Sequence, residues 1–236
     1  MLHLTPYTPF ANAFVLALPH GIVAGVHLAP AGSPAILDIP PDVHERLHPA
    51  ERAFASDLRG FRRQEFTGGR LALAAALPEL GAAPAPVLPN AHGAPELPPG
   101  LVGSVTHKHD LAVAIVARGQ LGIGIDLEET DHERPGVAER VLRPEELAVV
   151  RALPRDRQWV DTIVRFAVKE AVYKALHPYL RRYIGFGEVA VWPTPDGVDR
   201  VDASLLVDGS RFRFEARHYW IGHRVLATVR VRVEGT

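Results

Sequence analysis

The sequence predicts an α+β protein that contains two halves in one chain. Blocks of strand pattern and blocks of helical pattern follow one another in the order strands, helices, strands, helices, strands. Such a segregated order is typical of α+β folds. We place the boundary after Arg118, so that residues 1–118 form an N-terminal half and residues 119–236 form a C-terminal half.

The N-terminal half is predicted to contain a hairpin, two helices and two further strands. Pro19–Gly21 marks the turn of the hairpin, and Gly60 breaks the helical pattern. The proline-rich stretch from Pro78 to Gly100 has few periodic positions, so we expect short pieces laid over a surface. The predicted elements are two strands within residues 13–29, helices at 49–58 and 61–77, and strands at 101–106 and 111–117.

The C-terminal half is predicted to begin with an acidic strand, to continue with two helices and to end in strands. A turn around Arg118–Gln120 precedes the strand at 121–128, and helical periodicity covers residues 136–150 and 156–176. Four stretches predict the closing strands: "FGEVAVWPT", "ASLLVDG", "SRFRFEARHYW" and "RVLATVRVRV".

Composition and charge exclude several classes of protein. The chain of 236 residues is 47% hydrophobic and 22% charged, as in ordinary globular proteins, and its net charge of −1 attracts neither nucleic acid nor a membrane surface. It contains no cysteine, so disulfides, thiolate nucleophiles and zinc–thiolate sites are excluded. The apolar run Ala13–Leu18 lacks a positively charged start, and no stretch approaches the length of a membrane span. We therefore expect a core strand there and a cytoplasmic protein.

One predicted helix carries charges within its apolar stripe. These residues share one arc of the helix: Ile163, Phe166, Ala167, Glu170 and Lys174. Arg165 and Lys169 lie on a second arc, which we expect to be an ordinary solvated stripe. Because a buried charge needs a partner, Glu170 and Lys174 are expected to face either a ligand or a structural partner. The alternative is a common i,i+4 pair on a surface helix.

The strand "GIGIDLE" carries two carboxylates on one face. Since side chains alternate along a strand, Ile123, Ile125 and Leu127 are expected to face the core, while Asp126 and Glu128 face the other way together with the glycines. Glycines permit close approach, and carboxylate oxygens are ligands that Mg²⁺ prefers. The alternative is an acidic but solvated strand face.

The stretch "EFTGGRLALAAAL" places an arginine within an apolar helical stripe. Arg70 shares this stripe with Phe66 and Leu73, and Arg62 and Arg63 lie just upstream. Clustered arginines suit phosphate groups, because the forked guanidinium donates several hydrogen bonds. The alternative is a long side chain whose charged end reaches water.

The stretch "SVTHKHD" ends a predicted strand with polar side chains. Thr106, His107 and Lys108 supply a hydroxyl, an imidazole and an ammonium, which suit a pyrophosphate group. We expect this strand to lie beside the acidic strand. The alternative is an ordinary polar hairpin turn.

Taken together, the motifs resemble those of one enzyme family. Acidic metal ligands combined with donors for several phosphates are typical of metal-assisted attack at phosphorus. The order "GSVTH", "GIGIDLE", "RFAVKEAVYKAL" resembles the 4′-phosphopantetheinyl transferases. "EFTGGRLALAAAL" and "GAPELPPGLVGSVTH" are similar to the branch that serves siderophore and other secondary-metabolite synthases, and "ERVLRPEEL" resembles the segment after the acidic strand. The resemblance covers roughly residues 50–190.

This resemblance implies a transfer from coenzyme A. The 4′-phosphopantetheine arm would move to a serine of an apo acyl or peptidyl carrier protein with the help of Mg²⁺, and adenosine 3′,5′-bisphosphate would be released. The family fold is a pseudo-dimer of two similar α+β halves with coenzyme A in the cleft between them, so a monomer is expected to suffice. The expected partners are therefore carrier proteins and coenzyme A, with neither nucleic acid nor membrane.

By match to the motifs, the C-terminal half would supply the metal site. Asp126, Glu128 and Glu170 would hold Mg²⁺ on the pyrophosphate. Glu170, or a water that it orients, would also take the serine proton. Lys174 would contact the pyrophosphate and stabilise the developing charge.

By the same match, the N-terminal half would supply further phosphate contacts. His107, together with Thr106, would contact phosphate. Arg70 would hold the 3′-phosphate of coenzyme A, with Arg62 or Arg63 in support.

The resemblance leaves one departure and two alternatives. Many relatives carry a basic residue just before the proline matched by Pro95, whereas this chain has Ala94, and His92 is a weak substitute. One alternative is another Mg²⁺-dependent enzyme that cleaves pyrophosphate, such as a nucleotide pyrophosphohydrolase. The other is a non-catalytic α+β binding domain in which the charges form a structural network.

Overall fold

The computed structural model describes residues 3–30, 39–119, 122–177, 179–180, 182, 184–203, 206–207 and 210–233. They form a mixed α+β structure with two antiparallel sheets, which confirms the predicted fold class. The chain divides into two compact units, one made of the described residues up to 119 and the other of those from 122 onwards. The domain limits 1–118 and 119–236 stay a prediction. No helix in the described part of the chain is long and apolar enough to cross a membrane.

The N-terminal unit is a four-stranded sheet with helices packed on it. Its elements are β1 (Asn12–Leu18), β2 (Gly21–His27), α1 (Pro41–Glu45), α2 (Pro49–Asp57), α3 (Gly60–Ala76), β3 (Leu101–Lys108) and β4 (Leu111–Arg118). The strands are antiparallel and lie in the order β1-β2-β4-β3, so β3 is an edge strand of this sheet. Helix α3 packs on β2 and β4 and also contacts β3.

Helix α3 lies close to the sheet because it carries two glycines there. A Cβ at Gly68 would lie 2.3 Å from Leu28 Cδ2 and 3.1 Å from Ala112 Cβ, and one at Gly69 would lie 2.8 Å from Val105 Cγ1. A larger residue at either position would push the helix away from the strands. The close packing therefore brings the polar residues of α3 within reach of β3.

The C-terminal unit is a sheet with one long helix across it. Its elements are β5 (Gly122–Glu129), α4 (Val137–Val141), α5 (Pro144–Ala152), α6 (Arg155–Leu176), β6 (Val189–Trp192), β7 (Val198–Ala203), β8 (Leu206–Val207), β9 (Ser210–Ile221) and β10 (Arg224–Val233). The strand order is β5-β10-β9-β7-β6, and β8 pairs with β9. Helix α6 packs mainly on β5 and β10, and its apolar residues form the core of this unit with alternate residues of β10.

The glycines of β5 accommodate helix α6. A Cβ at Gly122 would lie 1.9 Å from the carbonyl oxygen of Ala175, and one at Gly124 would lie 1.9 Å from that of Ala171. Any side chain at these positions would collide with the helix backbone. The close approach that glycine permits here is therefore to α6, whereas the sequence had suggested an approach by a cation.

Most predicted elements are present, one predicted helix is divided, and α1 and β7 were not predicted. The predicted helix at 136–150 is two helices, α4 and α5, because Pro144 disfavours a helical conformation at Arg143, whose φ and ψ are −70° and 158°. Strand β7 was not predicted, since half of its sequence "VDRVDA" is charged, the alternation is interrupted at Asp199–Arg200 and there is no apolar run. The predicted strand "ASLLVDG" lies partly outside the described residues, and β8 falls within it.

Candidate active site

Two carboxylates of β5 lie on the strand face that helix α6 covers. Gly122, Gly124, Asp126 and Glu128 follow one another at two-residue spacing, so all four share one face of the strand. Helix α6 approaches this face closely at the two glycines. Asp126 is 6% exposed and Glu128 is 9% exposed. The alternative of a solvated acidic face is therefore wrong.

Helix α6 brings an ammonium and a third carboxylate to this face. Lys174 Nζ lies 2.8 Å from Asp126 Oδ1 and 3.0 Å from the carbonyl oxygen of Ile125. Glu170 lies one helical turn before Lys174 and is half-buried. Both charged residues of the apolar arc thus face the strand layer rather than open solvent.

The carboxyl group of Glu170 is in an unfavourable setting for a negative charge. Burial raises the pKa of Glu170 above its ordinary value of 4.5, and the charges of Asp126 and Glu128 raise it further, while Lys174 opposes the shift. Three carboxylates therefore lie near enough to repel one another. Such repulsion is typical of sites that bind a cation.

The residues present fit Mg²⁺. This ion prefers carboxylate oxygens and usually keeps open positions for water and phosphate. A dication would offset the mutual repulsion of Asp126, Glu128 and Glu170 that contributes to the raised pKa of Glu170. The chemistry of these three side chains therefore suits the metal, and Lys174, which pairs with Asp126, supplies a point charge suited to phosphate.

A second acidic cluster at the end of β5 was not predicted from the sequence. In the part of the chain that the structure describes, only Glu129, Asp131 and His223 bring three ligand atoms within 4.8 Å of one another, so the predicted ligands are spaced more widely. Arg224 donates to Glu129 Oε1 from Nε and lies within 3.0 Å of it through Nη2 as well. Because this guanidinium already neutralises Glu129, the cluster is an ion-pair group at the strand end.

Glu170→Gln is expected to stabilise the metal-free protein at neutral and alkaline pH. A carboxyl whose pKa rises on folding holds its proton more tightly in the folded state. Ionisation of Glu170 therefore destabilises the fold as the pH rises through 4.5, and the full effect is present above the raised pKa. In EDTA, the melting temperature of Glu170→Gln should exceed that of the wild type near pH 8, and the difference should shrink near pH 4.5. Glu133→Gln, at an exposed position, is the control, and a less stable Glu170→Gln protein near pH 8 would contradict the expectation.

The expected solvated stripe of α6 is wrong, because Arg165 and Lys169 are each only 2% exposed. Helix α5 packs against this side of α6 and supplies the opposite charge from Glu146, which is fully buried. Glu146 Oε2 accepts hydrogen bonds from Lys169 Nζ at 2.6 Å and from the backbone N–H of Arg143 at 2.7 Å. The stripe is therefore an internal ion-pair layer.

Glu146 and Lys169 form the centre of a buried hydrogen-bond network. Glu146 Oε1 accepts the backbone N–H of Val191 at 2.8 Å. Lys169 Nζ donates further hydrogen bonds to the carbonyl oxygens of Val141 at 2.7 Å and Phe186 at 3.1 Å. Burial lowers the pKa of Lys169, and its contact with Glu146 opposes that shift. The network joins α4, α5 and β6 to the turn of α6 that carries the candidate catalytic carboxylate.

In the N-terminal unit, Arg70 is a buried guanidinium. Its side chain is 5% exposed, and within the described residues its Nε has no hydrogen-bond partner. Its guanidinium carbon lies 4.5 Å from the centre of the Phe66 ring. Burial lowers the pKa of Arg70 to about 10, and the charge of Glu51 opposes this shift. A buried cation with an unused donor suits an anionic ligand such as a phosphate.

The structure distinguishes Arg63 from Arg62. Arg63 is half-buried, and in the described part of the molecule its Nε is buried without a hydrogen bond. It precedes Arg70 by two helical turns, so the two residues lie on one side of α3. Arg62 is exposed and lies on a different side of the helix. Of the two candidates, Arg63 is therefore the better placed to assist Arg70.

Thr106 and His107 lie on opposite faces of β3, because the strand continues through both residues. His107 faces α3, where its Nδ1 lies 2.9 Å from Glu65 Oε1, and its side chain is 43% exposed. Thr106 is 5% exposed on the other face. The two side chains therefore do not share a face of the strand, and their contact with phosphate stays a prediction. Strand β3 pairs with β4 in one sheet and β5 pairs with β10 in the other, so β3 and the acidic strand are not hydrogen-bonded neighbours.

Ala94, where many relatives carry a basic residue, belongs to a small turn. Its N–H and that of His92 both donate to Asn90 Oδ1, at 3.1 Å and 2.9 Å. The N–H of Asn90 in turn donates to the carbonyl oxygen of Ala94 at 2.8 Å. The side chain of Ala94 is a methyl group and carries no positive charge. The chain therefore lacks the basic residue that many relatives have at this position.

Carboxylates, an ammonium and a guanidinium are kinds of groups that enzymes acting at phosphorus use. Residues 50–117 match the family profile of the 4′-phosphopantetheinyl transferase N-terminal domain, and residues 122–229 match that of the 4′-phosphopantetheinyl transferase superfamily. The chain is 37% identical over 180 residues to 4′-phosphopantetheinyl transferase Svp of Streptomyces mobaraensis, which covers 74% of this chain and 72% of the relative. It is also 37% identical over 155 residues to 4′-phosphopantetheinyl transferase PptT of Mycobacterium tuberculosis, covering 63% and 67%. Among solved structures, the holo-[acyl-carrier-protein] synthase of Thermotoga maritima is 26% identical with a TM-score of 0.39, covering 48% of this chain and 63% of that one.

The two family profiles together cover most of the chain. The match to Svp covers 74% of this chain and 72% of Svp. The chain therefore belongs to the 4′-phosphopantetheinyl transferase superfamily, and the enzyme class predicted from its motifs is confirmed. The alternative of a non-catalytic binding domain is set aside by this membership.

Proposed function

We propose that this enzyme transfers the 4′-phosphopantetheine arm of coenzyme A to a serine of an apo carrier protein, with Mg²⁺ as the metal. The observation that supports the proposal is that Asp126, Glu128, Glu170 and Lys174 interact where helix α6 packs on β5. Because the motifs resemble the branch that serves siderophore and other secondary-metabolite synthases, acyl or peptidyl carrier domains of such synthases are the expected partners. The cytoplasmic location, the monomeric state and a cleft between the halves stay predictions.

The reaction is a substitution at the phosphorus that bears the pantetheine arm. The serine oxygen forms a bond to this phosphorus, and the bond from the phosphorus to the bridging oxygen of the pyrophosphate breaks. The electron pair leaves with adenosine 3′,5′-bisphosphate, and the serine proton goes to a base. When bound, Mg²⁺ neutralises charge on the pyrophosphate and so favours departure of the leaving group.

Each residue of the cluster has a distinct part in this proposal. Asp126, Glu128 and Glu170 are the metal ligands, and Glu170, directly or through a water, accepts the serine proton. A carboxylate can act as general base for the serine proton when it lies within hydrogen-bond reach, directly or through one water. Lys174 is held by Asp126 and by a backbone carbonyl with its side chain 26% exposed, so its remaining N–H suits a phosphate oxygen.

The transfer is tested with coenzyme A, Mg²⁺ and a panel of apo carrier domains, followed by intact-mass spectrometry. We expect a carrier to gain one phosphopantetheinyl group while adenosine 3′,5′-bisphosphate is released. A carrier whose acceptor serine is replaced by alanine is the control and should stay unmodified. Cleavage of coenzyme A without modification of any carrier would instead favour a pyrophosphate-cleaving enzyme.

Arg70→Met is expected to weaken the binding of coenzyme A much more than that of dephospho-coenzyme A. The methionine keeps an apolar stem against Phe66 but removes the guanidinium that we assign to the 3′-phosphate. A charge-assisted contact of this kind contributes about 1.5–3 kcal/mol. Arg63→Met should show a smaller preference of the same sign, whereas Arg62→Met serves as the exposed control. Calorimetric titration with both ligands measures the effect, and equal losses for both would show that Arg70 does not hold the 3′-phosphate.

A further inference from the structure

Glu65 of α3 and His107 of β3 form a polar contact between a helix and an edge strand. Glu65 Oε1 lies 2.9 Å from His107 Nδ1, and the two side chains are 17% and 43% exposed. The close packing of α3 on the strands, with Gly69 over Val105, fixes the spacing of the two elements. The contact is therefore set by the fold.

Glu65 has a possible ion-pair partner on its own helix but does not pair with it. Arg62 lies three residues earlier, at a spacing that commonly gives an ion pair on a helix. In the described part of the chain Glu65 pairs with His107, and no ion pair joins it to Arg62. A carboxylate on a helix that also carries Arg63 and Arg70 would repel a phosphate held there. Glu65 is instead directed towards the imidazole of His107, and we ask what this contact does.

The chemistry of imidazole indicates what this role is. With Nδ1–H donated to the Glu65 carboxylate, the ring plane is fixed and Nε2 is the remaining polar atom of His107. To donate to a phosphate, the ring must then carry protons on both nitrogens, with one anionic acceptor at each. This is the arrangement in which a carboxylate orients a histidine for a ligand.

We propose that Glu65 is a positioning residue that orients the His107 imidazole so that Nε2–H contacts a phosphate of coenzyme A. This inference rests on the proposed function and on the match to the family motifs, which implies that His107 contacts phosphate. It adds a residue that none of the motifs had singled out. Glu65 acts through His107 and does not itself touch the substrate.

The test is a double-mutant cycle on coenzyme A binding in the presence of Mg²⁺. Its variants are Glu65→Ala, Glu65→Gln, His107→Ala and the double variant Glu65→Ala/His107→Ala, each checked for an unchanged melting curve. Glu65→Ala should weaken coenzyme A binding by about threefold to thirtyfold and should add nothing in the His107→Ala background. Glu65→Gln keeps an acceptor oxygen for Nδ1–H, so it should lose less and preserves the test if the alanine variant unfolds. Glu79→Gln, an exposed glutamate of the same unit, is the control.

Carrier loading separates this inference from the proposed function. In Glu65→Ala, KM for coenzyme A should rise while kcat at saturating coenzyme A stays near the wild-type value. If Glu65→Ala weakens coenzyme A binding equally with and without His107, the inference is overturned. Tighter coenzyme A binding by Glu65→Ala would also overturn it, because Glu65 would then compete with the phosphate for His107. Unchanged coenzyme A binding by His107→Ala would overturn both the inference and the role of His107, yet leave the transfer reaction standing. Failure of the wild type to load any carrier would instead count against the proposed function, while the binding cycle would still decide the role of Glu65.

Discussion

Glu170→Gln is expected to lower kcat for carrier loading by about 10²–10⁴-fold, the usual contribution of a general base. The glutamine keeps the shape of the side chain and the helix, but it removes the negative charge and the basicity. Both matter here, since Glu170 is the proposed proton acceptor and a proposed metal ligand beside Asp126 and Glu128. Coenzyme A should still bind, because Arg70, His107 and Lys174 are proposed to contact its phosphates independently of this carboxylate.

The two effects of Glu170→Gln are measured side by side. Titration with coenzyme A in Mg²⁺ gives the affinity, and carrier-loading kinetics at saturating coenzyme A give kcat. Glu133→Gln is the matched control and should behave as the wild type in both. A collapse of affinity with kcat near the wild-type value would make Glu170 a binding residue only. Normal values of both in a folded protein would show that the proposed role of this helix turn is wrong.

Glu146→Ala is expected to lower the free energy of unfolding by about 3–5 kcal/mol, as when one partner of a buried ion pair is removed. Without Glu146, the Lys169 ammonium stays in an apolar layer with two carbonyl acceptors and no counter-charge. The backbone N–H of Val191 also loses its acceptor. Both changes leave buried polar groups without compensation, which is more costly than loss of an exposed contact.

Urea denaturation measures this loss of stability. Glu139→Ala breaks an exposed pair with Arg151 and is the matched control, for which we expect almost no change. The double variant Glu146→Leu/Lys169→Met should lose less than the sum of its single variants, since it leaves neither charge buried alone. A Glu146→Ala protein as stable as the control would show that the pair contributes little.

The strand and helix that carry the proposed metal ligands were predictable because their patterns are local. Alternation in "GIGIDLE" places Asp126 and Glu128 on one face, and the helical arc places Glu170 and Lys174 together. In the structure, Asp126 and Glu128 share one face of β5, and Glu170 and Lys174 lie one turn apart on α6. What the patterns did not reveal is that the glycines of β5 face helix α6, since alternation assigns residues to a face without saying which element covers it.

The buried pair of Lys169 and Glu146 could not be found from the arc of α6 alone. A helical projection shows that Arg165 and Lys169 share a side of the helix. Only the packing of α5 decides whether that side is exposed to solvent. A usable signal lay in "LRPEEL", where Pro144 favours a new helix and Glu146 falls in its first turn. Even so, the pairing of Glu146 with Lys169 joins positions 23 residues apart in sequence.

In the N-terminal unit, the limits of the sequence prediction came from strand register and from long-range contacts. Thr106 and His107 were grouped because they are adjacent, yet a strand that continues to Lys108 turns adjacent side chains to opposite faces. Arg70 was found through its place in an apolar stripe. Glu65 was not, because its partner on β3 is far away in the chain and the nearby arginines offered a simpler explanation.

The Mg²⁺ dependence of carrier loading tests most directly whether Asp126, Glu128 and Glu170 form the metal site of this transferase. Initial loading rates would be measured over a range of Mg²⁺ concentrations for the wild type, for Asp126→Asn and for Asp131→Asn, an exposed control near the end of β5. We expect the wild type and the control to saturate alike. Asp126→Asn, folded to the same extent, should need more than about tenfold more Mg²⁺ or fail to load at all. Loading by folded Asp126→Asn at the wild-type rate and the same Mg²⁺ concentration would contradict the account.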